Sequence, residues 1–141
     1  MKKRKVFISY SRQNYIDENE NIIQGSSLLK IMQKLDEQGI DRWIDVEGKY
    51  AGHSFGPEIR TAIMECDLLI FISSIESNQS EWTPSELYTA KKNHKLIIPV
   101  LIDNTGFAEN IEFYIPGHID CVEFYKNEQY ADIVIWRRFR S

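Results

Sequence analysis

No stretch of the chain is apolar over the ~20 residues that a membrane-spanning helix requires. The longest apolar runs, Leu68 to Ile72 and Leu96 to Ile102, stop far short of that, and Pro99 interrupts the second. Lys2-Lys3-Arg4-Lys5 leads at once into a strand-like run, so the apolar segment of a secretory leader is missing as well. The expected location is the cytoplasm, with no membrane partner. Basic residues are in deficit, 17 against 21 acidic ones for a net charge of −4, which is the wrong sign for binding nucleic acid by neutralising phosphates. With only 7 glycines and 4 prolines among 141 residues and 43% hydrophobic side chains, a disordered or fibrous chain is excluded. One domain over residues 1–141 is the expectation.

Nor do the usual catalytic signatures occur. Neither a GxxxxGK[ST] nor a GxGxxG sequence follows the first strand-like run, which removes the P-loop and dinucleotide-fold readings. A GxSxG elbow is lacking too. The three histidines, His53, His94 and His118, have no cysteine or carboxylate partners at ligand spacing, and no metal is expected. Cys66 and Cys121 match no metal spacing and read as buried small apolar groups in a reducing compartment.

What is present is an alternation of strands and helices. Val6 to Tyr10 is a β-prone run; Leu28, Leu29, Met32 and Leu35 recur at helical spacing until Gly39 ends the helix. Arg42 to Val46 reads as a second strand opening into a glycine-containing loop. Phe55, Ile59, Ala62, Ile63 and Cys66 then form one stripe of a helix. The runs at 68–72 and 96–102 are apolar without alternation, as strands buried on both faces are. A polar loop and a helix fill residues 76–95 between them, and a final strand at Asp120 to Phe124 and a helix from Gln129 complete the pattern. The prediction is an α/β fold, a parallel sheet with helices on both faces. Ligands of such sheets bind beyond the carboxyl ends of the strands, which directs attention to Tyr10-Ser11-Arg12, Asp45, Ser73-Ser74 and Asp103-Asn104. Because the last helix is unfinished at Ser141, a longer parent chain is left open.

Ser80-Glu81-Trp82-Thr83-Pro84-Ser85-Glu86-Leu87 opens the third helix. Trp82 and Glu86, four residues apart, set an aromatic body beside a carboxylate on one face. The plainer reading is a capping box, with Thr83 as N-cap, Pro84 in the first helical position and Glu86 reaching back to a backbone N–H.

Val6-Phe7-Ile8-Ser9-Tyr10-Ser11, Trp43-Ile44-Asp45, Ala51-Gly52, Leu69-Ile70-Phe71-Ile72-Ser73 and Ser80-Glu81-Trp82 with Glu86-Leu87 occur in this order over nearly the whole chain. Together they resemble a TIR domain (Toll/interleukin-1 receptor type). That resemblance implies a flavodoxin-like five-stranded parallel sheet, with Glu47 to Ser54 as the BB loop through which TIR domains contact one another. TIR domains include signalling adaptors and enzymes that cleave the nicotinamide–ribose bond of NAD+. With Ala51-Gly52 in place of a Pro-Gly pair, this chain is similar to the bacterial NAD-cleaving members. The resemblance implies Glu86 as the catalytic carboxylate, and Tyr10, Ser11, Asp45, Lys49, Phe55 and Trp82 as lining of the nucleotide pocket. Many enzymatic relatives have arginine where this chain has Ser11, and Arg12 is the substitute. The implied activity is an NAD+ glycohydrolase or ADP-ribosyl cyclase in antiviral immunity or cell suicide, with NAD+ as substrate and no other cofactor. Assembly with other TIR domains, driven by a fused or separate sensor domain, would switch it on. The rivals are a non-enzymatic adaptor, with Glu86 a helix cap, and a module that senses a cyclic nucleotide.

Overall fold

Strand parity organises the core. In the computed structural model, which describes residues 4–44, 56–115 and 121–135, four parallel strands run β1 (Lys5–Ser9), β2 (Asp41–Trp43), β3 (Leu68–Ser73) and β4 (Leu96–Leu101), in the spatial order β2-β1-β3-β4. Successive side chains of a strand point to opposite faces. Val6 and Ile8 of β1, Leu68, Ile70 and Ile72 of β3, and Ile98 and Val100 of β4 therefore share one buried cluster. Phe7, Leu69, Phe71 and Ile97 share the other. All six residues of β3 are buried, the two-sided burial that its unbroken apolar run predicts.

Helix α1 (Ser27–Glu37) covers the first face with Leu28, Ile31, Met32 and Leu35, and Ser26 caps it by accepting the Leu29 N–H at 3.2 Å. Helices α2 (Pro57–Glu65), α3 (Thr83–Lys92) and α4 (Glu109–Glu112) cover the second with Ile59, Ile63, Leu87 and Ile111. Helix α5 (Tyr130–Val134) returns Ala131 to the first face. The predicted α/β architecture with helices on both faces is the one found.

Of the predicted fifth strand at 120–124, Asp120 lies outside the described residues, and among the described ones it is reduced to a single parallel bridge, Val122 to Val100. Val122 donates its N–H to the Pro99 carbonyl at 2.9 Å and accepts from Leu101 N–H at 2.7 Å. Pro99 has no N–H to offer on that side, so the ladder loses its next donor. Between β1 and α1, Tyr15 and Ile16 are buried and an antiparallel bridge joins Ile16 to Ile22. Cys66 is buried, but Cys121 is exposed, so the expectation of two buried thiols holds for one only.

A candidate cleft at the strand switch point

In a sheet ordered 2-1-3-4, the connections leaving β1 and β3 go to opposite faces, and the gap between them is where ligands of such folds settle. Here a cleft of about 550 Å³ opens at that position, within the usual range for small-molecule sites. Its described lining includes Tyr10, Ser11 and Arg12 after β1, Trp43 of β2, Glu76 and Gln79 after β3, and Trp82 and Glu86 at the start of α3. The loop following β1 contains a 3-10 turn, Arg12–Asn14.

The entry to α3 is fixed locally. Ser80 Oγ accepts the Trp82 N–H at 3.2 Å and the Thr83 N–H at 3.3 Å, and Pro84 stands in the first turn, where its missing N–H costs nothing. The capping box is not formed. Thr83 Oγ1 is buried without a hydrogen-bond partner, and the Glu86 N–H goes to the Trp82 carbonyl. Instead the Glu86 carboxylate reaches the sheet, where its Oε1 accepts the Ser9 hydroxyl at 2.9 Å. Its place in the first helical turn is electrostatically suited to an anion.

The two loops that frame the cleft are tied together. Asn14 donates from Nδ2 to Glu76 Oε2 at 3.2 Å and accepts the Ser74 hydroxyl on Oδ1 at 2.8 Å. Ser74 and Ser77 bind one another through Oγ and backbone N–H groups. A further tie holds the β3 loop to the β4 loop: Asp103 accepts the Ile75 N–H at 2.9 Å and the Thr105 N–H at 3.0 Å. Burial pushes the Asp103 carboxyl upward, but the hydrogen bonds from Ile75 and Thr105 outweigh it and hold the group below its ordinary 3.8. On the aromatic side, Trp43 stacks on buried Phe7 with ring centroids 5.1 Å apart, and Tyr10 meets Tyr15 edge-on.

Of the residues singled out by sequence, Tyr10, Ser11, Arg12, Trp82 and Glu86 come together around this one cleft. Asp45, Lys49 and Phe55, and the loop 47–54, lie outside the described residues. Sequence reasoning missed Ser9 and Asn14 as contributors. The signal for Ser9 is a polar residue in an apolar strand, on the parity that faces α3; for Asn14 there is none, because its partners are 60 and 62 residues away. Among the described residues, no group of three or more His, Cys, Asp or Glu side chains is placed to hold a metal ion, and no helix is long and apolar enough to cross a membrane.

Fold and cleft together define a doubly wound α/β domain with a pocket of aromatic and polar side chains at its switch point. The family model for TIR domains matches residues 6–134, and the chain belongs to that family. Among solved structures it is similar to the TIR domain of the Toll-related receptor TRR-2 from Hydra magnipapillata, at 19% identity and a TM-score of 0.62, covering 95% of this chain and 93% of that one. It is also similar to the TIR domains of the activated Roq1 resistosome, which directly recognises the pathogen effector XopQ, at 18% identity and a TM-score of 0.53, covering 96% and 80%. No curated protein matches the sequence significantly.

Proposed function

We propose that this TIR domain cleaves the nicotinamide–ribose bond of NAD+, with Glu86 as the catalytic carboxylate. The observation that carries the reading is the position of Glu86: a carboxylate in the switch-point cleft, on the first turn of α3, beside Trp82. Tyr10, Ser11, Arg12 and Trp82 are the proposed substrate contacts among the described residues, and Asp45, Lys49 and Phe55 are proposed to complete the set.

The chemistry suits a single carboxylate. Glycosidases ordinarily need an acid to protonate a departing oxygen, whereas nicotinamide departs from a cationic pyridinium as a neutral molecule. The C1′–N bond breaks with its electron pair going to the ring nitrogen, and positive charge develops on the ribose. Glu86 stabilises that charge electrostatically, and an aromatic wall such as Trp82 limits access of bulk water. Water attacking C1′ and losing a proton yields ADP-ribose; attack by an adenine or ribose atom of the same molecule, also with loss of a proton, yields a cyclic ADP-ribose.

Assembly with other TIR domains through residues 47–54 is the proposed switch, in a cytoplasmic effector of immune defence or cell suicide. The occurrence of TIR domains in an effector-recognising resistosome supports the immune setting. The alternative is a non-enzymatic adaptor acting through TIR–TIR contacts. Its supporting observation is the exposed aromatic face formed by Tyr88 and Phe113, 50% and 76% exposed, with Lys91 over the Phe113 ring.

The test is chromatography of nicotinamide and the remaining nucleotide after incubation with NAD+, at low and high protein concentration and after clustering on beads. The expected result is cleavage that rises with clustering and is lost in Glu86→Gln while the melting temperature holds. Absence of cleavage by the clustered wild type overturns the enzymatic reading in favour of the adaptor.

A further inference from the structure

We infer that Ser9 is a positioning residue for Glu86, its buried hydroxyl fixing the orientation and charge state of the carboxylate from the end of β1. The inference rests on the reading of Glu86 as the catalytic group. Ser9 is 0% exposed, and strand parity turns its side chain to the face where Leu87 of α3 packs on Phe7, Leu69 and Phe71. A buried serine commonly satisfies itself on a nearby backbone carbonyl. This one donates instead to a carboxylate 77 residues away, Oγ to Oε1 at 2.9 Å.

Ser9 is well placed for the task. Its backbone is in register with Phe71 of β3, in the interior of the sheet, so the hydroxyl is anchored to a rigid element. Glutamate has three rotatable side-chain bonds, and an anchored donor at Oε1 selects among their rotamers before substrate arrives. A hydroxyl donating to a carboxylate also favours its ionised form, the form that stabilises a developing cation. The other charged side chains described around the cleft are Arg12, Glu76 and Glu81.

The experiment compares Ser9→Ala, Ser9→Thr and Glu86→Gln with the wild-type chain in the clustered NAD+ assay, with melting temperatures recorded throughout. Loss of a hydrogen bond to a charged group predicts a fall in kcat of about 10- to 100-fold for Ser9→Ala. KM should change little, the acidic limb of the pH–rate profile should move to higher pH, and Ser9→Thr should restore a substantial part of the rate. If Ser9→Ala is too unstable to assay, near-isosteric Ser9→Cys takes its place, with a weaker donor and a smaller effect of the same sign. Glu86→Gln inactive with Ser9→Ala indistinguishable from wild type in kcat and pH profile overturns the positioning role alone. Glu86→Gln retaining activity overturns the catalytic assignment and the role of Ser9 with it. Where the wild type shows no turnover, the Glu86 carboxyl carbon is titrated by NMR: an unchanged titration in Ser9→Ala overturns the hold of the hydroxyl on the carboxylate, and a titration moved to higher pH supports it.

Discussion

Gly39 and His94 occupy the same position at the ends of two helices. Each lies one residue past the C-cap with positive φ, 69° for Gly39 after α1 and 57° for His94 after α3. Each is bracketed by the same pair of hydrogen bonds: Gly39 N–H to Asp36 and Ile40 N–H to Leu35 in one, His94 N–H to Lys91 and Lys95 N–H to Ala90 in the other. This is the Schellman arrangement, which favours glycine because left-handed backbone strains any residue with a Cβ. The expectation is that His94→Gly raises stability by about 0.5–1 kcal/mol. Gly39→Ala should lower it by about 1 kcal/mol, wholly through the backbone, since no atom lies within 4 Å of the added Cβ. Urea unfolding of the two variants checks both signs.

Thr83 separates a helix cap from a buried orphan. A capping hydroxyl costs about 0.5–2 kcal/mol when removed, whereas a buried hydroxyl without a partner costs energy while it is present. Because Thr83 Oγ1 has no partner, Thr83→Val is expected to be neutral or to stabilise by up to about 1 kcal/mol. Ser80→Ala, which removes the acceptor for two backbone N–H groups at the start of α3, is expected to cost about 1 kcal/mol. Thermal melts of the pair decide which hydroxyl caps the helix.

Asn14 joins the loops after β1 and β3 through Ser74 and Glu76. Asn14→Ala should cost about 1–2 kcal/mol, since it leaves two polar side chains without this partner. Under the proposed activity it should also raise KM for NAD+, because both loops line the cleft. Steady-state kinetics on the clustered protein, set beside the unfolding free energy, measures the two effects separately.

Asp103 makes part of the stability dependent on pH. Its folded carboxyl titrates below the unfolded value, so its contribution is complete above about pH 4 to 5 and is lost as pH falls through the folded pKa. Asp103→Asn should remove that acid-dependent part, flattening the stability curve on its acidic side. Chemical denaturation from pH 7 down to pH 3 provides the comparison.

The thiols should differ in reactivity. Burial raises the Cys66 pKa, and Lys95 and backbone hydrogen bonds from Leu68 and Phe7 only partly oppose it, so Cys66 stays a protonated, shielded thiol. Cys121 is exposed. An aromatic disulfide reagent is expected to titrate one thiol rapidly in the native protein and the second only on unfolding.

Much of this architecture is legible in the sequence because its signals are local. The unbroken apolar run at 68–72 predicts a central strand, and the spacing of Leu28, Met32 and Leu35 predicts α1, although Ile31 rather than Leu29 completes the buried stripe. Helix α4, at four residues, is too short to show a period. The misreading of Thr83 and Glu86 has a different origin: both satisfy a short-range capping rule, but the carboxylate finds its partner in Ser9, a contact that exists only once α3 packs on the sheet. The ties made by Asn14 are hidden for the same reason. Residue identities mark the cleft well, as Tyr10, Ser11, Arg12, Trp82 and Glu86 show, and the hydrogen bonds that arrange them emerge from the fold.

Pro99 gives the sheet an end. On the side away from β3, β4 offers Val122 a carbonyl and a single following N–H, and where the next donor would be there is a pyrrolidine ring. A foreign strand approaching that edge would meet the same interruption, so β4 is a poor template for extension by a neighbouring copy. The β4 edge thus carries a built-in bias against runaway strand addition.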